Sequence, residues 1–450
     1  MDSTLPLQAP SARRPLKRRI SALVLLAGLL LSLPAQAVTV ERVASPNGIE
    51  AWLVQDHSNP IISMEIAFKG GAALDPAPKS GLAEMAAGLL DEGAGPYDSQ
   101  TFQQKLEDQV ITLNFDASRD TLRGHLKTLT ANRDAAFDLL RLSLGQPRFD
   151  KEPVERIRGQ ILSGLMREAQ DPNAMATRRW FQAMFPGHPY ARSPHGVPET
   201  VKTIQVGDLR AFARGQLARD RLMIGVVGDI TPAELARLLD ATFGGLPAAG
   251  APDTVADTAA RATGGVTVID KDNPQTVAVF GAPGVKRDDP DWYAASIMNY
   301  ILGGGGFSSR LTEEVREKRG LAYSVYSYLL PQRHSGLIFG GVATENGRFA
   351  ESIGLIRAEF QRMRDQGPTE AELANAKTYL NGSFPLQLDS TAAIAGLLVQ
   401  LQADNLGIDF LDRRNALIDA VTLDDVKRAA RRLLDPGTLT IVAVGRPAGM

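Results

Sequence analysis

Two residues in the second half of the sequence, Arg316 and Tyr323, have the types and spacing of a pair that could bind a peptide carbonyl. They lie on either side of Gly320 in the stretch R-L-T-E-E-V-R-E-K-R-G-L-A-Y. A guanidinium and a phenol are both hydrogen-bond donors, and two converging donors stabilise a carbonyl oxygen that becomes negatively charged. The alternative interpretation is that Arg316 lies on a solvated helix face and Tyr323 is a half-buried strand aromatic.

The residues around this pair predict elements that would bring the two side chains together. Residues 313–318 have a composition that favours helix, with Leu311 and Val315 on one face. Gly320 suits the left-handed end of a helix, and the tyrosines and valine that follow are typical of a strand. We therefore expect a helix that ends beside the start of a strand, with the pair at the junction.

A run of four glycines precedes this segment and predicts a loop that could lie close to a bound peptide. Glycine has no side chain and adopts backbone angles that other residues avoid. A flexible connector between helices is the alternative. The residues predicted to contact substrate are Gly303, Gly304, Gly305, Gly306 and Phe307.

The N-terminal residues 1–37 have the features of a bacterial secretory signal peptide. A cluster of basic residues precedes the uncharged apolar run 20–33, and Ala35-Gln36-Ala37 is a small-residue cleavage site. The apolar run is short for a bilayer span, which takes about twenty residues. We expect cleavage after Ala37, export to the periplasm and no stable membrane anchor.

The composition of the rest of the chain excludes several classes of function. After residue 37 the sequence carries 44 basic and 50 acidic side chains, a formal charge of −6, which argues against nucleic acid as a partner. The sequence contains no cysteine, which excludes disulfides, thiolate nucleophiles and cysteine-bound metals. The folded protein must therefore be stabilised by its hydrophobic core.

An internal repeat indicates two duplicated domains. Residues 208–228 and 425–445 align without a gap, and both copies predict a helix with an acidic start followed by an apolar strand closed by glycine. We expect an α+β fold of two homologous α/β-roll domains, each an antiparallel sheet with helices on one face. The predicted boundaries are an N-terminal domain at 38–250, a linker at 251–265 and a C-terminal domain at 266–450.

These features together resemble the pitrilysin/insulinase family of zinc peptidases, the inverzincins. The resemblance covers essentially the whole chain after the signal peptide. Its motifs are G-G-G-G-F-S-S-R-L at 303–311, V-R-E-K-R-G-L-A-Y at 315–323, F-P-G-H-P-Y at 185–190 and L-N-G-S-F-P-L-Q-L at 380–388. The resemblance implies that the two domains form a half-clamshell.

The zinc motif of that family is degenerate in this sequence. Active members carry His-x-x-Glu-His, whose two histidines correspond here to Glu84 and Gly88, and whose general base corresponds to Ala87. A third ligand, a glutamate, falls at about Gly164. Catalytic zinc needs three protein ligands and an open position for water. We therefore expect this chain to bind no metal and to hydrolyse no peptide alone.

The resemblance also implies a function, because some bacterial members work as two-chain peptidases. In such pairs one chain carries His-x-x-Glu-His with zinc, and the other supplies the arginine and tyrosine. We expect a non-catalytic subunit of a periplasmic heterodimeric zinc metallopeptidase, with Arg316 and Tyr323 acting in trans on peptides in the partner's site. The alternative is a catalytically inert peptide-binding or scaffold protein of the same fold.

Overall fold

The computed structural model describes residues 39–449 and contains two β-sheets, one in each half of this range. The first sheet has the strand order β1-β2-β6-β3-β5-β4 and the second has the order β7-β11-β8-β10-β9. The strands of the first sheet are β1 (Glu41–Ala44), β2 (Glu50–Gln55), β3 (Ile61–Lys69), β4 (Thr112–Ala117), β5 (Thr121–Leu129) and β6 (Leu222–Gly228). Those of the second are β7 (Val266–Asp270), β8 (Gln275–Pro283), β9 (Ala322–Gln332), β10 (Ser335–Glu345) and β11 (Thr440–Gly445).

The helices follow the strands in both halves. In the first half they are α1 (Leu82–Ala87), α2 (Ser99–Asp108), α3 (Arg133–Gly145), α4 (Lys151–Glu168), α5 (Pro172–Met184), α6 (Pro198–Val201), α7 (Val206–Gln216) and α8 (Pro232–Phe243). In the second half they are α9 (Trp292–Asn299), α10 (Phe349–Gln366), α11 (Glu370–Ser383), α12 (Thr391–Ala403), α13 (Phe410–Asp419) and α14 (Leu423–Leu433). Two π-helical turns, Tyr300–Gly304 and Thr312–Glu317, lie between α9 and β9.

The internal repeat corresponds to equivalent elements in the two sheets. Its first copy forms α7 and β6, and its second forms α14 and β11. β6 and β11 each lie between a parallel strand and an antiparallel strand. The acidic residue of each copy caps its helix in the same way, since the Oδ2 atoms of Asp208 and Asp425 accept the backbone N–H three residues earlier, at 2.8 and 2.9 Å. The predicted α+β fold of two homologous domains is confirmed.

The repeat did not predict that each sheet also packs against a helix from the other half. α12 lies on β3 and β6, and α5 lies on β8 and β11. A glycine permits each close approach: a Cβ at Gly225 would be 2.5 Å from the Ala395 carbonyl oxygen, and one at Gly281 would be 2.5 Å from the Trp180 ring. The Trp180 indole also donates to the carbonyl of Thr440 at 3.0 Å. Helices therefore cover both faces of each sheet rather than one.

The segment between α8 and β7 is irregular but is attached to the C-terminal half. Asp253 forms a 2.7 Å ion pair with Arg333, and the Thr258 N–H donates to the carbonyl of His334 at 2.8 Å. The linker at 251–265 and the domain boundaries remain predictions, and the predicted signal peptide lies outside the described residues.

No single helix within residues 39–449 is long and apolar enough to cross a membrane. One bent pair, Glu370–Gln387 with Thr391–Ala403, reaches that length and composition jointly, at an angle of 118°. The second member of that pair is α12, which packs on the N-terminal sheet.

Candidate functional site

The glycine run continues α9 through a π-helical turn and then enters the loop before Arg316. Gly303 is buried against β9, and a Cβ there would lie 2.8 Å from the backbone nitrogen of Ser327. Packing inside the protein therefore already requires a glycine at position 303. Gly306 has a left-handed φ of 56° and open space around it, and the next residue, Phe307, is 70% exposed.

The helix predicted at 313–318 forms as a π-helical turn at Thr312–Glu317 rather than as an α-helix. The Lys318 N–H donates to the carbonyl of Glu313 at 2.9 Å, five residues earlier. The carbonyl of Glu314, which an α-helix would pair with that N–H, instead accepts from the Arg319 guanidinium at 2.8 Å. The Arg319 side chain thus replaces the backbone donor that an α-helix would provide to the Glu314 carbonyl, and the backbone forms the wider π-helical turn.

The end of this turn brings the predicted pair together. Gly320 has a φ of 58°, as expected for a left-handed helix end, and Tyr323 is the second residue of β9. The guanidinium carbon of Arg316 lies 5.1 Å from the centre of the Tyr323 ring and 4.6 Å from the centre of the Phe307 ring. A cation within about 6 Å of a ring centre is attracted by the ring. The arginine therefore stacks with two aromatic rings.

The stack of Phe307, Arg316 and Tyr323, hereafter the aromatic stack, is open to solvent. Tyr323 is 83% exposed, and its hydroxyl has no hydrogen-bond partner within residues 39–449. The nearest carboxylate to Arg316 is Glu317, at 3.3 Å. The alternative interpretation of Tyr323 as a half-buried strand aromatic is wrong. Because the hydroxyl is free and the ring is held by the arginine, the stack can offer a positioned donor to a second molecule.

The degenerate zinc positions lie on α1, whose N-terminus is fixed by a buried carboxylate. Asp75 accepts the N–H groups of Gly81 and Ala83 at 2.9 and 3.0 Å. Ala87 faces the core and is 1% exposed. Gly88 is partly buried, and a Cβ there would lie 3.4 Å from Ile157 of α4, an ordinary van der Waals contact.

Glu84 does not stand alone at the first histidine position. His195, from the loop before α6, places Nδ1 3.4 Å from Glu84 Oε1 and Nε2 3.8 Å from Glu168 Oε1. The hydrogen bond to Glu84 and the charges of both carboxylates raise the pKa of His195. We call Glu84, His195 and Glu168 the histidine–carboxylate cluster.

The cluster adds residues that the sequence did not single out, and Gly164 as the third degenerate zinc position stays a prediction. The α4 carboxylate that faces this position is Glu168, one turn beyond Gly164, where a Cβ would meet only Arg167 Nη2 at 3.9 Å. The loop that carries His195 packs closely against the start of α1 at two glycines. A Cβ at Gly81 would lie 2.9 Å from the His195 carbonyl oxygen, and one at Gly196 would collide with Ser80.

The residues at this position do not fit a zinc ion. Within residues 39–449 no group of three or more histidine, aspartate or glutamate side chains could hold a metal. Both ring nitrogens of His195 are directed to carboxylates on opposite sides, so they do not converge with those carboxylates on one point. Zinc requires ligands arranged around a single centre.

Comparisons with known proteins agree with this geometry. A family described as peptidase M16 inactive domain matches residues 203–380. A crystal structure of a peptidase M16 inactive domain from Pseudomonas fluorescens superposes with a TM-score of 0.85 at 28% identity, covering 91% of this chain and 98% of that one. The chain belongs to the M16 peptidase family. The resemblance to the non-catalytic type of member, predicted from the sequence, is confirmed.

Two relatives with different names are similar to most of this chain. A non-peptidase homolog from Helicobacter pylori, YmxG, is 28% identical over 82% of this chain and 85% of its own. The mitochondrial-processing peptidase subunit beta of Blastocladiella emersonii is 26% identical over 93% of this chain and 90% of its own. With the degenerate zinc positions, the inactive-domain and non-peptidase relatives identify this chain as an inactive M16 member.

Proposed function

We propose that this inactive M16 chain is the non-catalytic subunit of a periplasmic heterodimeric zinc peptidase. The partner would be a family member that carries His-x-x-Glu-His and the zinc ion. The observation that carries the proposal is the aromatic stack, which leaves the Tyr323 hydroxyl exposed and, within residues 39–449, without a partner, while the same residues contain no group that could hold zinc.

In this proposal the stack acts in trans on a peptide in the partner's site. Tyr323 donates its hydroxyl to the scissile carbonyl, or to the oxyanion that forms when water attacks it. Arg316 either holds the phenol ring in place or binds the peptide main chain through its guanidinium N–H groups. The exposed part of the glycine run and Phe307 border the same position and would contact substrate residues. Such donors are most effective when they are fixed before the charge develops.

The partner and the location follow from separate observations. M16 members commonly work in pairs of homologous subunits, and one relative of this chain is named as a peptidase subunit. The two homologous halves of this chain would form a half-clamshell that closes on a partner of the same fold. Location in the periplasm depends on the predicted signal peptide at 1–37.

Reconstitution tests this proposal directly. This chain would be co-expressed with a candidate M16 chain carrying His-x-x-Glu-His from the neighbouring gene, and both would also be purified alone. We expect a complex by size exclusion and peptide cleavage by the complex only, with loss of cleavage on adding a zinc chelator. Stoichiometric zinc and chelator-sensitive cleavage by this chain alone would contradict the proposal. If substitutions in the aromatic stack left peptide cleavage by the complex unchanged, the scaffold alternative would be favoured.

A further inference from the structure

A cavity of about 500 Å³ lies between the two halves. One of its lining residues, Arg119, is near enough to His195 of the histidine–carboxylate cluster for its charge to oppose the raised pKa of that histidine. Its N-terminal wall is formed by the end of β3 and the start of β5, and its C-terminal wall by the loop after β8 and the β9–β10 turn. The end of α12 closes one side. Six cationic side chains line it: Lys69, Arg119, Arg123, Lys286, Arg287 and Arg333.

Three of these cations are engaged by carboxylates. Lys286 pairs with Asp257 at 3.0 Å and Arg333 pairs with Asp253 at 2.7 Å, both in the segment between the sheets. The third, Arg287, lies 3.9 Å from Asp404 and stacks on three aromatic rings. These three cations belong to the C-terminal wall.

The other three, on the N-terminal wall, have no ion pair within residues 39–449. Arg119 stacks on the Phe181 ring at 3.8 Å, and its Nε is buried without an acceptor. Arg123 donates to the neutral side chain of Gln400 at 2.9 Å. Lys69 lies at the end of β3, on the same side of the sheet as Arg123. Because no carboxylate of the described residues lies within ion-pair distance of these three cations, an anion that enters the cavity could form charge-assisted hydrogen bonds with them.

The three carboxylates that line the cavity form no ion pair with Lys69, Arg119 or Arg123, although Asp120 attracts Arg119 and Asp404 attracts Arg123 over a longer distance. Asp120 is already occupied by neutral donors, the Tyr190 hydroxyl at 2.7 Å and the Arg333 backbone N–H at 3.0 Å. Asp404 accepts from Gln400 at 2.9 Å, and burial raises its pKa. Asp288 is the third carboxylate, and it lies on the opposite wall from Lys69, Arg119 and Arg123.

We propose that this cavity binds an organic polyanion of about tripeptide size, whose oxyanions contact Lys69, Arg119 and Arg123. A volume of about 500 Å³ is in the range of small-molecule sites and is far larger than a single phosphate needs. Amide side chains of Gln332, Gln400 and Asn405 also line it, and they can pair with the peptide groups of such a ligand. The proposal does not depend on the proposed peptidase function.

Titration calorimetry of the full-length mature chain tests the proposal with two probes, triglutamate and inorganic phosphate, at equal ionic strength. The variants are Lys69→Gln and Arg123→Gln, and the matched control is Lys202→Gln, an exposed lysine outside the cavity. We expect each cavity variant to weaken binding about tenfold, the effect of losing one charge-assisted hydrogen bond, and the control to leave it unchanged. Circular dichroism checks that each variant is folded.

Each result of the titrations either supports the proposed binding site or contradicts it. Binding of triglutamate that depends on both cavity residues supports a carboxylate ligand, and binding of phosphate alone with the same dependence supports a phosphorylated one. Absence of binding by both probes overturns the proposal. Binding that survives in Lys69→Gln and Arg123→Gln, or that weakens equally in Lys202→Gln, overturns it as well.

Discussion

Apart from the additional edge strand β1, the two halves of the molecule have matching strand orders, yet their polar groups are used differently. In the N-terminal half, His195 pairs with both Glu84 and Glu168 at the position where active relatives would hold zinc. In the C-terminal half, Arg316 stacks on two exposed rings, and the Tyr323 hydroxyl has no partner among the described residues. The charged groups of the histidine–carboxylate cluster find partners within the chain, whereas the polar groups of the aromatic stack are available to a second molecule.

The difference shows how the carboxylates of the N-terminal site find a partner within the chain. A carboxylate left alone in a partly buried site would be destabilising, and Glu84 and Glu168 each lie beside a ring nitrogen of His195, whose pKa is raised by the hydrogen bond to Glu84 and by both carboxylate charges. Within the described residues, the C-terminal stack has no such partner for the Tyr323 hydroxyl. An exposed tyrosine contributes little to stability, so binding accounts for this arrangement better than folding does.

The largest expected effect comes from the variant Tyr323→Phe in the assembled complex. The ring stays over Arg316 and only the hydroxyl is lost, so the stack should persist while the donor disappears. Removing one oxyanion donor costs about 10²- to 10³-fold in rate in other enzymes. We expect a fall of that size in the rate of peptide cleavage, with no change in complex formation by size exclusion.

Tyr97→Phe is the matched control for that experiment. Tyr97 also stacks with a cation, since Lys105 Nζ lies 4.5 Å from its ring, but it lies in the N-terminal half. Loss of the Tyr97 hydroxyl should leave the rate of peptide cleavage by the complex unchanged. Wild-type rates for the Tyr323→Phe complex would remove the functional distinction between the two halves.

The second prediction concerns stability and tests whether the N-terminal site still tolerates a catalytic residue. Ala87 is 1% exposed, so Ala87→Glu would bury a carboxylate with no zinc-bound water beside it. We expect a loss of about 2–4 kcal/mol in the free energy of unfolding, measured by urea denaturation. Ala374→Glu, on the exposed face of α11, should change stability by less than about 0.5 kcal/mol. Equal effects would mean that position 87 still accepts a charge.

The same contrast explains what could be predicted from the sequence. Arg316 and Tyr323 come together through one turn, a left-handed glycine and the start of a strand, all within a short segment whose residue types indicate each step. Glu84 and His195 meet only because two distant loops pack closely at Gly81 and Gly196. Neither glycine differs in the sequence from a glycine in an ordinary turn.

The packing of α5 and α12 on the opposite sheets was missed for a related reason. Their apolar residues indicate burial but not which sheet will cover them, because both sheets have similar composition. The π-helical turn before Gly320 depends on the Arg319 side chain bonding to the carbonyl of Glu314, and residue propensity carries no signal for that. Residue types predicted the local structure, but they did not predict which distant segments pack against each other.

A smaller effect is expected from Arg316→Lys in the same complex. An ammonium cannot stack flat between Phe307 and Tyr323, so the phenol should become less well positioned. An exposed cation–π contact contributes about 0.5–1 kcal/mol, which corresponds to about twofold to fivefold in the cleavage rate. Arg348→Lys, an exposed arginine of the same half, should have no effect. A loss as large as that of Tyr323→Phe would instead indicate that Arg316 binds substrate directly.

The smallest effect is a pH dependence of stability in the N-terminal half. The pKa of His195 is raised in the folded protein, so its stabilising effect is complete below its ordinary value of 6.5 and disappears as pH rises through the folded value. The side chain is 45% exposed, and solvent screening limits the effect to about 1 kcal/mol or less. We expect His195→Gln to be less stable than wild type at pH 6 and the difference to shrink by pH 8, measured by urea denaturation.

The variant Glu84→Gln shows whether that pH dependence arises from the cluster. Its hydrogen bond makes the largest favourable contribution to protonated His195, while Glu168 adds a weaker attraction and the charge of Arg119 opposes both. In the Glu84→Gln background, His195→Gln should therefore lose most of its pH-dependent effect. A stability difference that grows from pH 6 to pH 8 would mean that neutral His195 is the favoured form. The two halves would then not differ in the way their charges are satisfied.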